Sequence, residues 1–283
     1  MQSVIITGAS SGIGRAAAEH LAQQNWTVFA GVRKDEDADL LRTQSKLIHP
    51  LILDVTKGDS VADAIEEVKT VLDGKTLNGL VNNAGIAQMG PLAHQPLDEF
   101  RAHFDVNTFG LLQMTQAALP LLGMDDFRDG PKGRIVNITS VGGELAAPFL
   151  GAYCATKHAV ESMTDTLRRE LLVYGIDAIA IGPGSVQTPI WGKAEEKNTD
   201  TPYAKTAWGL SIEIFAEVMM HGGRNGLEPD VVARTVEKAL TAKKPKARYA
   251  PVPDKFNNWY LPRLMPKRIV DKAMAKRYAI ETA

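Results

Sequence analysis

VIITGASSGIGRAAAEHLAQQN, residues 4–25, is the stretch whose reading decides the fold. VIIT is a short apolar run rich in β-branched side chains, which suits a buried strand. GASSGIG, residues 8–14, follows at once, and RAAAEHLAQQN after it is built from strong helix formers. Strand, glycine turn and helix N-terminus in that order make a site for phosphate. Glycines let the backbone approach an anion, and the free N–H groups and dipole of the helix start favour its charge. The glycines stand at Gly8, Gly12 and Gly14, a GxxxGxG spacing rather than GxGxxG.

Outward from this unit, strand-like and helix-like segments alternate. TVFAGV (27–32) is a second buried strand, LIHPLILDV (47–55) a third, and residues 59–73 a helix. LNGLVNNAG (77–85) is a fourth strand ending in a polar turn, and a long apolar-periodic helix runs from Leu97 to Leu122. GRIVNITS (133–140) is the fifth strand, residues 151–172 a helix, IDAIAIGPG (176–184) the sixth strand and ARYAPV (247–252) the seventh. Pro229 opens a helix through Ala242. Strands apolar on both faces, alternating with helices, predict an α/β fold: a doubly wound parallel sheet of about seven strands between helix layers. The expected organisation is a Rossmann-type catalytic domain over residues 1–252, with a glycine-punctuated lid at 190–228 and a basic, aromatic C-terminal extension at 253–283.

The 283 residues carry a formal net charge of −1 and are 45% hydrophobic, enough for a substantial core and with no excess of base to suggest nucleic acid as a partner. One cysteine, Cys154, excludes an intrachain disulfide framework. The N-terminus enters a strand directly, without room for a signal peptide, and no run approaches the roughly eighteen apolar residues of a membrane span. These features predict a cytoplasmic protein. The six histidines are scattered without ligand spacing, and no metal is expected.

In GAYCATKHAVESMTDTLRRELL (151–172), Tyr153 and Lys157 stand four apart, one turn on the same helix face. A cation beside a phenol favours the phenolate, so Lys157 is expected to lower the Tyr153 pKa toward working pH, the condition for a general acid/base. On its own such a pair is more often merely solvated. Its weight comes from its companions: TGASSGIG, NNAG at 82–85, Asn107, Ser140 thirteen residues before Tyr153, and PGSVQTP from Pro183. Together these residues resemble the short-chain dehydrogenase/reductase family in its compact single-domain form. FAGVRK, LDVT, RREL and TPIW are most similar to the steroid- and retinol-dehydrogenase branch.

The resemblance implies NAD(P)(H)-dependent hydride transfer between a nicotinamide and a carbonyl or secondary alcohol. Tyr153 would exchange the hydroxyl proton, Lys157 hold the nicotinamide ribose, Ser140 polarise the carbonyl, and Asn107 hold a water that continues the proton path. Thr7, Gly8, Ser10, Gly12, Ile13 and Gly14 would line the phosphates and adenosine. Asp54 and Val55 would hold the adenine, Asn82, Ala84 and Gly85 the central strand end, and Pro183, Gly184, Val186 and Thr188 the nicotinamide end. NAD-selective folds of this architecture place an acid at the end of the second strand. Here that position is Val32, followed by Arg33, and a guanidinium without a carboxylate favours a 2′-phosphate, hence NADP(H), with NAD(H) the alternative. Ser11 stands where many NADP-preferring members carry Arg or Lys, which leaves Arg33 as the main support.

Ile190, Trp191, Tyr203, Trp208, Leu210, Ile212, Ile214, Phe215, Met219 and Met220 either pack the lid or line an apolar pocket for a lipophilic ketone or alcohol. A 3-oxoacyl-thioester reductase is the alternative, and a non-catalytic dinucleotide-binding regulator the alternative of another class. The extension is expected to pack over the substrate mouth or a neighbouring subunit, with contact to a membrane surface the less favoured reading. The helices bearing Asn107 and Tyr153 form the usual subunit interface of the family, which implies a homodimer or homotetramer.

Overall fold

The structure, a computed structural model, describes residues 1–125, 127–189 and 203–280. Seven strands form one sheet in the order β3-β2-β1-β4-β5-β6-β7, every neighbouring pair parallel. They are β1 Ser3–Ile6, β2 Thr27–Val32, β3 Ile48–Ile52, β4 Gly79–Asn82, β5 Arg134–Ile138, β6 Asp177–Ile181 and β7 Arg248–Tyr249. The helices are α1 Gly12–Gln23, α2 Asp35–Gln44, α3 Gly58–Leu72, α4 Leu97–Phe104, α5 Gly110–Ala118 and α6 Gly151–Glu170, followed by Gly209–Asn225, Pro229–Thr241, Leu261–Leu264 and Lys267–Arg277.

Side chains alternate across a strand, and that alternation divides the core. Val4 and Ile6 of β1 and Val28 and Ala30 of β2 enter the layer under α1 and Pro229–Thr241. Ile5 and Phe29 enter the opposite layer, under α3 and α5. All six are fully buried. Burying a Val, Ile or Phe side chain stabilises by about 1.5–3 kcal/mol, so a one-residue slip, which would exchange the two sets, is strongly disfavoured. The strand order reverses between β1 and β4. At such a switch point the loops leaving the carboxyl ends diverge and open a crevice.

Several expected elements are shorter than their apolar runs. β3 ends at Ile52: the Leu53 N–H still donates to the Val32 carbonyl at 2.7 Å, and the Asp54 N–H then leaves the ladder for Ser60 Oγ at 2.9 Å. The long helix expected over Leu97–Leu122 stays helical throughout but is not uniformly α. A π-helical turn, Asp105–Phe109, separates α4 from α5, and a second follows at Pro120–Met124. Pro120 brings no N–H to an α-helical ladder, and Gly123, with φ +100°, turns the chain out. The extension folds back onto the body of the molecule. Trp259 is buried, and Tyr278 packs edge-on at 5.1 Å against Phe215, which meets Phe149 at 5.6 Å. Residues on both sides of position 252 therefore share one apolar cluster. Among the described residues no helix is long and apolar enough to cross a membrane.

Candidate active site

The crevice at the switch point is a groove of about 270 Å³ lined by Gly8, Ser10, Ser11, Gly12, Ile13, Val32, Arg33, Asp54, Val55, Ala84, Gly85 and Thr188, among others. The turn from β1 into α1 needs its glycines for two reasons. Gly8 and Gly12 adopt positive φ (+66° and +57°). A Cβ on Gly14 would lie 2.3 Å from the Gly8 carbonyl oxygen, so only glycine lets the helix start close on the loop. Ser11, preceding α1, makes no side-chain cap, and the start of the helix faces the groove. An extended anion such as a dinucleotide pyrophosphate fits this cradle.

Each predicted groove residue has a definite place. Gly8, Ser10, Gly12, Ile13, Arg33, Asp54, Val55, Ala84, Gly85 and Thr188 line it. Thr7 lies behind, its hydroxyl accepting from the N–H groups of Asn83 and Ala84 at 3.0 Å each. Gly14 is likewise packing rather than wall. Asn82 does not face the groove. It is buried in the sheet, its Nδ2 donating to Thr115 Oγ1 and Asn137 Oδ1 at 2.9 Å, with Asn137 donating on to Thr164. The neighbouring Asn83, which the sequence reading passed over, lines the groove and donates to the Thr7 and Gly8 carbonyls at 3.0 Å. Gly184 borders a second cleft instead, and Pro183 and Val186 are buried. Burial alone would raise the Asp54 carboxyl, but the Thr56 hydroxyl and N–H, with Lys57 and Arg33 nearby, hold it below the usual carboxylate range.

The second cleft, about 700 Å³, has Ser140, Leu145, Leu150, Tyr153, Val218, Met219, Val252 and Tyr278 in its wall. Ser140 leaves β5 and caps a short 3-10 turn, its Oγ accepting from the Gly142 N–H at 3.0 Å. Tyr153 and Lys157 lie on one face of α6 as expected, with Lys157 Nζ 5.7 Å from the phenol ring centre. Lys157 is buried and donates to the Ile138 carbonyl at 2.9 Å. A Cβ built on Gly85 would stand 3.3 Å from Asn107 Oδ1 and 3.8 Å from Lys157 Nζ, so this pair sits where the groove meets the cleft.

One expectation is corrected at these residues. Burial pushes the Tyr153 phenol up to about 12, and a hydrogen bond with Ser140 brings it back only in part. The expected lowering toward working pH is not present, because the phenol's own desolvation dominates; burial also brings Lys157 down to about 8, against the pull of Glu161. Asn107 sits in the π-helical turn, and both hydrogens of its amide are used. Oδ1 accepts from the Ile86 N–H at 2.8 Å, and Nδ2 donates to the Ile86 carbonyl and to Thr156 Oγ1, both at 3.0 Å. It ties the loop after β4 to α6, and Oδ1 keeps a second lone pair for a further donor. Cys154 is buried and burial raises its thiol pKa, the opposite of an activated nucleophile.

Most of the lid aromatics pack rather than line. Tyr203, Ile212 and Phe215 are buried, Trp208 meets His94 edge-on at 5.1 Å, and Leu210 is exposed. Met219 does reach the cleft, while Ile190 and Trp191 lie outside the described residues. The C-terminal segment supplies much of the rest, with Asn257, Asn258, Pro262, Met274 and Arg277. A half-buried ionic bridge holds it there. Arg248 of β7 bonds Glu144 and Glu161 at 2.9 Å and stacks over Trp259 at 4.2 Å. Arg263 stacks on the same indole at 4.4 Å and meets Glu144 at 2.5 Å. Nothing in local sequence pattern announced this bridge, whose partners lie up to about a hundred residues apart.

A nucleotide groove at the switch point, joined to an apolar cleft at a Ser-Tyr-Lys set, defines a dinucleotide-dependent oxidoreductase of the single-domain type. The family model for short chain dehydrogenase matches residues 2–199, and the chain belongs to that family. It is 40% identical over 280 residues to the NADPH-dependent 3-dehydrocapnine reductase of Ornithobacterium rhinotracheale, covering 98% of this chain and 97% of that protein. It is 34% identical over 283 residues to retinol dehydrogenase 5 of Mus musculus, covering 96% and 87%. A short-chain dehydrogenase from Streptomyces avermitilis superposes with a TM-score of 0.77 at 26% identity, over 98% of this chain and 96% of that one.

Proposed function

We propose that this chain is an NADP(H)-dependent oxidoreductase that interconverts a lipophilic ketone and its secondary alcohol. The observation that carries the reading is the meeting of groove and cleft at Ser140, Tyr153, Lys157 and Gly85. A bound nicotinamide supplies the hydride chemistry. The chain's own contribution is position and one proton. Ser140 orients the substrate oxygen. Tyr153, its phenol pushed up by burial, donates to that oxygen as it gains negative charge in reduction and takes the proton back in oxidation. Lys157 lies beside Gly85 to meet the ribose, and Asn107 fixes α6 against the loop that carries Gly85 and Ile86.

The preference for NADP(H) is supported by Arg33, exposed on the groove wall, and by Val32 in place of an acid. The relative named as NADPH-dependent points the same way. The apolar cleft wall, and relatives named for retinol and for dehydrocapnine, support a lipophilic substrate. A screen of hydrophobic ketones and alcohols against NADPH and NADH, followed at the reduced-nicotinamide absorbance band, tests the proposal. It predicts turnover of lipophilic ketones with NADPH preferred; better turnover with NADH, or activity confined to small polar substrates, contradicts it.

We further propose that the enzyme is cytoplasmic and self-associates through the faces bearing the π-turn and the end of α6, where Phe109 (58% exposed), Leu172 (73%) and Val173 (79%) leave large apolar surface outward. Light scattering of the purified protein tests this, with a dimer or tetramer expected and a monomer counting against it.

A further inference from the structure

The segment 256–264 has two faces. Toward the protein it buries Trp259 and places Asn258 and Pro262 in the cleft wall. Away from it stand Phe256 (64% exposed), Tyr260 (46%), Leu261 (38%) and Leu264 (82%). The outward residues follow helical spacing, at i, i+4, i+5 and i+8, so the apolar stripe is continuous along a π-helical turn and the α-helical turn after it. Ile269 adds a fifth large apolar side chain on the next helix, Lys267–Arg277, in one stripe with Lys272 and Lys276. The segment is also the basic part of a chain whose net charge is −1. Residues 253–280 hold Lys255, Arg263, Lys267, Arg268, Lys272, Lys276 and Arg277 against Asp254 and Asp271. Among the described residues Lys255, Lys267, Lys272 and Lys276 form no ion pair.

We propose that this face docks on an anionic lipid membrane, so that the cleft mouth opens at the bilayer surface and takes its lipophilic substrate from there. An exposed apolar stripe ringed by lysine and arginine matches a surface of acyl chains under phosphate headgroups. The same charges argue against a second copy of the chain on this face, since a two-fold contact would set the basic patch as a whole against itself. Position links the surface to the reaction: the helix that carries the outward stripe carries the cleft wall on its other side. The proposal rests on the lipophilic-substrate reading, and its test separates the two.

Flotation of the full-length protein with phosphatidylcholine vesicles, with and without phosphatidylserine, gives the primary readout. The protein is expected to float with the anionic vesicles and to be released by high salt, with each cation near the surface contributing about fivefold to partition. Phe256→Ser with Leu264→Ser, both outside the cleft wall, should reduce flotation at least tenfold. Turnover of a water-soluble ketone should stay unchanged, while kcat/KM for a ketone presented in anionic vesicles should fall. Lys267→Glu with Lys272→Glu should remove the preference for anionic lipid. No flotation, equal flotation with neutral vesicles, unaltered flotation of the double serine variant, or crosslinking of two copies through this face overturns the docking. Failure to turn over any soluble ketone would instead overturn the catalytic reading beneath it.

Discussion

At the residue scale the centre of the molecule is a cation that the fold keeps out of water. Lys157 is buried against β5, with the Ile138 carbonyl as its hydrogen-bond partner and Glu161 one turn along α6. Its folded pKa of about 8 lies below its ordinary 10.5, so the unfolded chain holds this proton over a range of pH where the folded chain has released it. The cost to stability, about 3 kcal/mol, is therefore fully present below pH 8 and is relieved as the pH rises toward 10.5. Lys157→Met should abolish turnover yet melt at or above the wild-type temperature at pH 7, with the gap closing by pH 10; calorimetry across that range checks it, and a clear loss of stability at pH 7 contradicts it. Arg33 is a second residue-scale test. Arg33→Ala should raise KM for NADPH roughly 10–100-fold, the worth of a charge-assisted contact, and leave KM for NADH near its starting value. The spacing of Tyr153 and Lys157 was legible because helix geometry puts i and i+4 side by side. Their titration was not, because desolvation depends on what the whole fold lays over them. The exchange of Asn82 for Asn83 has a similar cause: adjacent strand residues face opposite ways, and two asparagines in a row carry no mark of which faces the groove.

At the scale of elements, the strand, glycine turn and helix order was readable because each step has a local cause. Element ends were not, since they are fixed by tertiary partners such as the Ser60 hydroxyl that takes the Asp54 N–H. The π-helical turn at Asp105–Phe109 belongs to the same class. Apolar periodicity ran through it, whereas the three bonds of the Asn107 amide tie that turn to Ile86 and Thr156. The bridge from Arg248 to Glu144, Glu161 and Trp259 joins β7, the turn after Ser140, α6 and the C-terminal segment. Arg248→Met leaves the half-buried Glu161 without its ion pair, while Glu144 keeps Arg263, and should destabilise by about 1–3 kcal/mol. Adding Glu161→Gln should recover part of that loss, because one stranded charge is removed. Denaturant unfolding of the two single variants and the double variant measures the coupling; strictly additive effects would mean the bridge is not a unit.

At the scale of the whole molecule, a seven-stranded parallel sheet reverses its strand order between β1 and β4, opens a nucleotide groove there, and presents Ser140 and Tyr153 to an apolar cleft walled by the lid and the C-terminal segment. The sheet and groove could be read from the chain because they depend on alternation and on glycine. The cleft was legible in part, through Met219 and the extension over the substrate mouth; the rest was not, because its walls come from segments far apart in sequence, and most of the lid aromatics turned inward to hold the lid in place. The central claim is that Tyr153 supplies the proton while hydride passes between nicotinamide and carbonyl carbon. Single-turnover oxidation of NADPH by a hydrophobic ketone, wild type against Tyr153→Phe with the fold checked by circular dichroism, tests it most directly. The account predicts a rate at least about a hundredfold lower, up to ten-thousandfold, with NADPH binding retained; a Tyr153→Phe enzyme that turns over near the wild-type rate would contradict it.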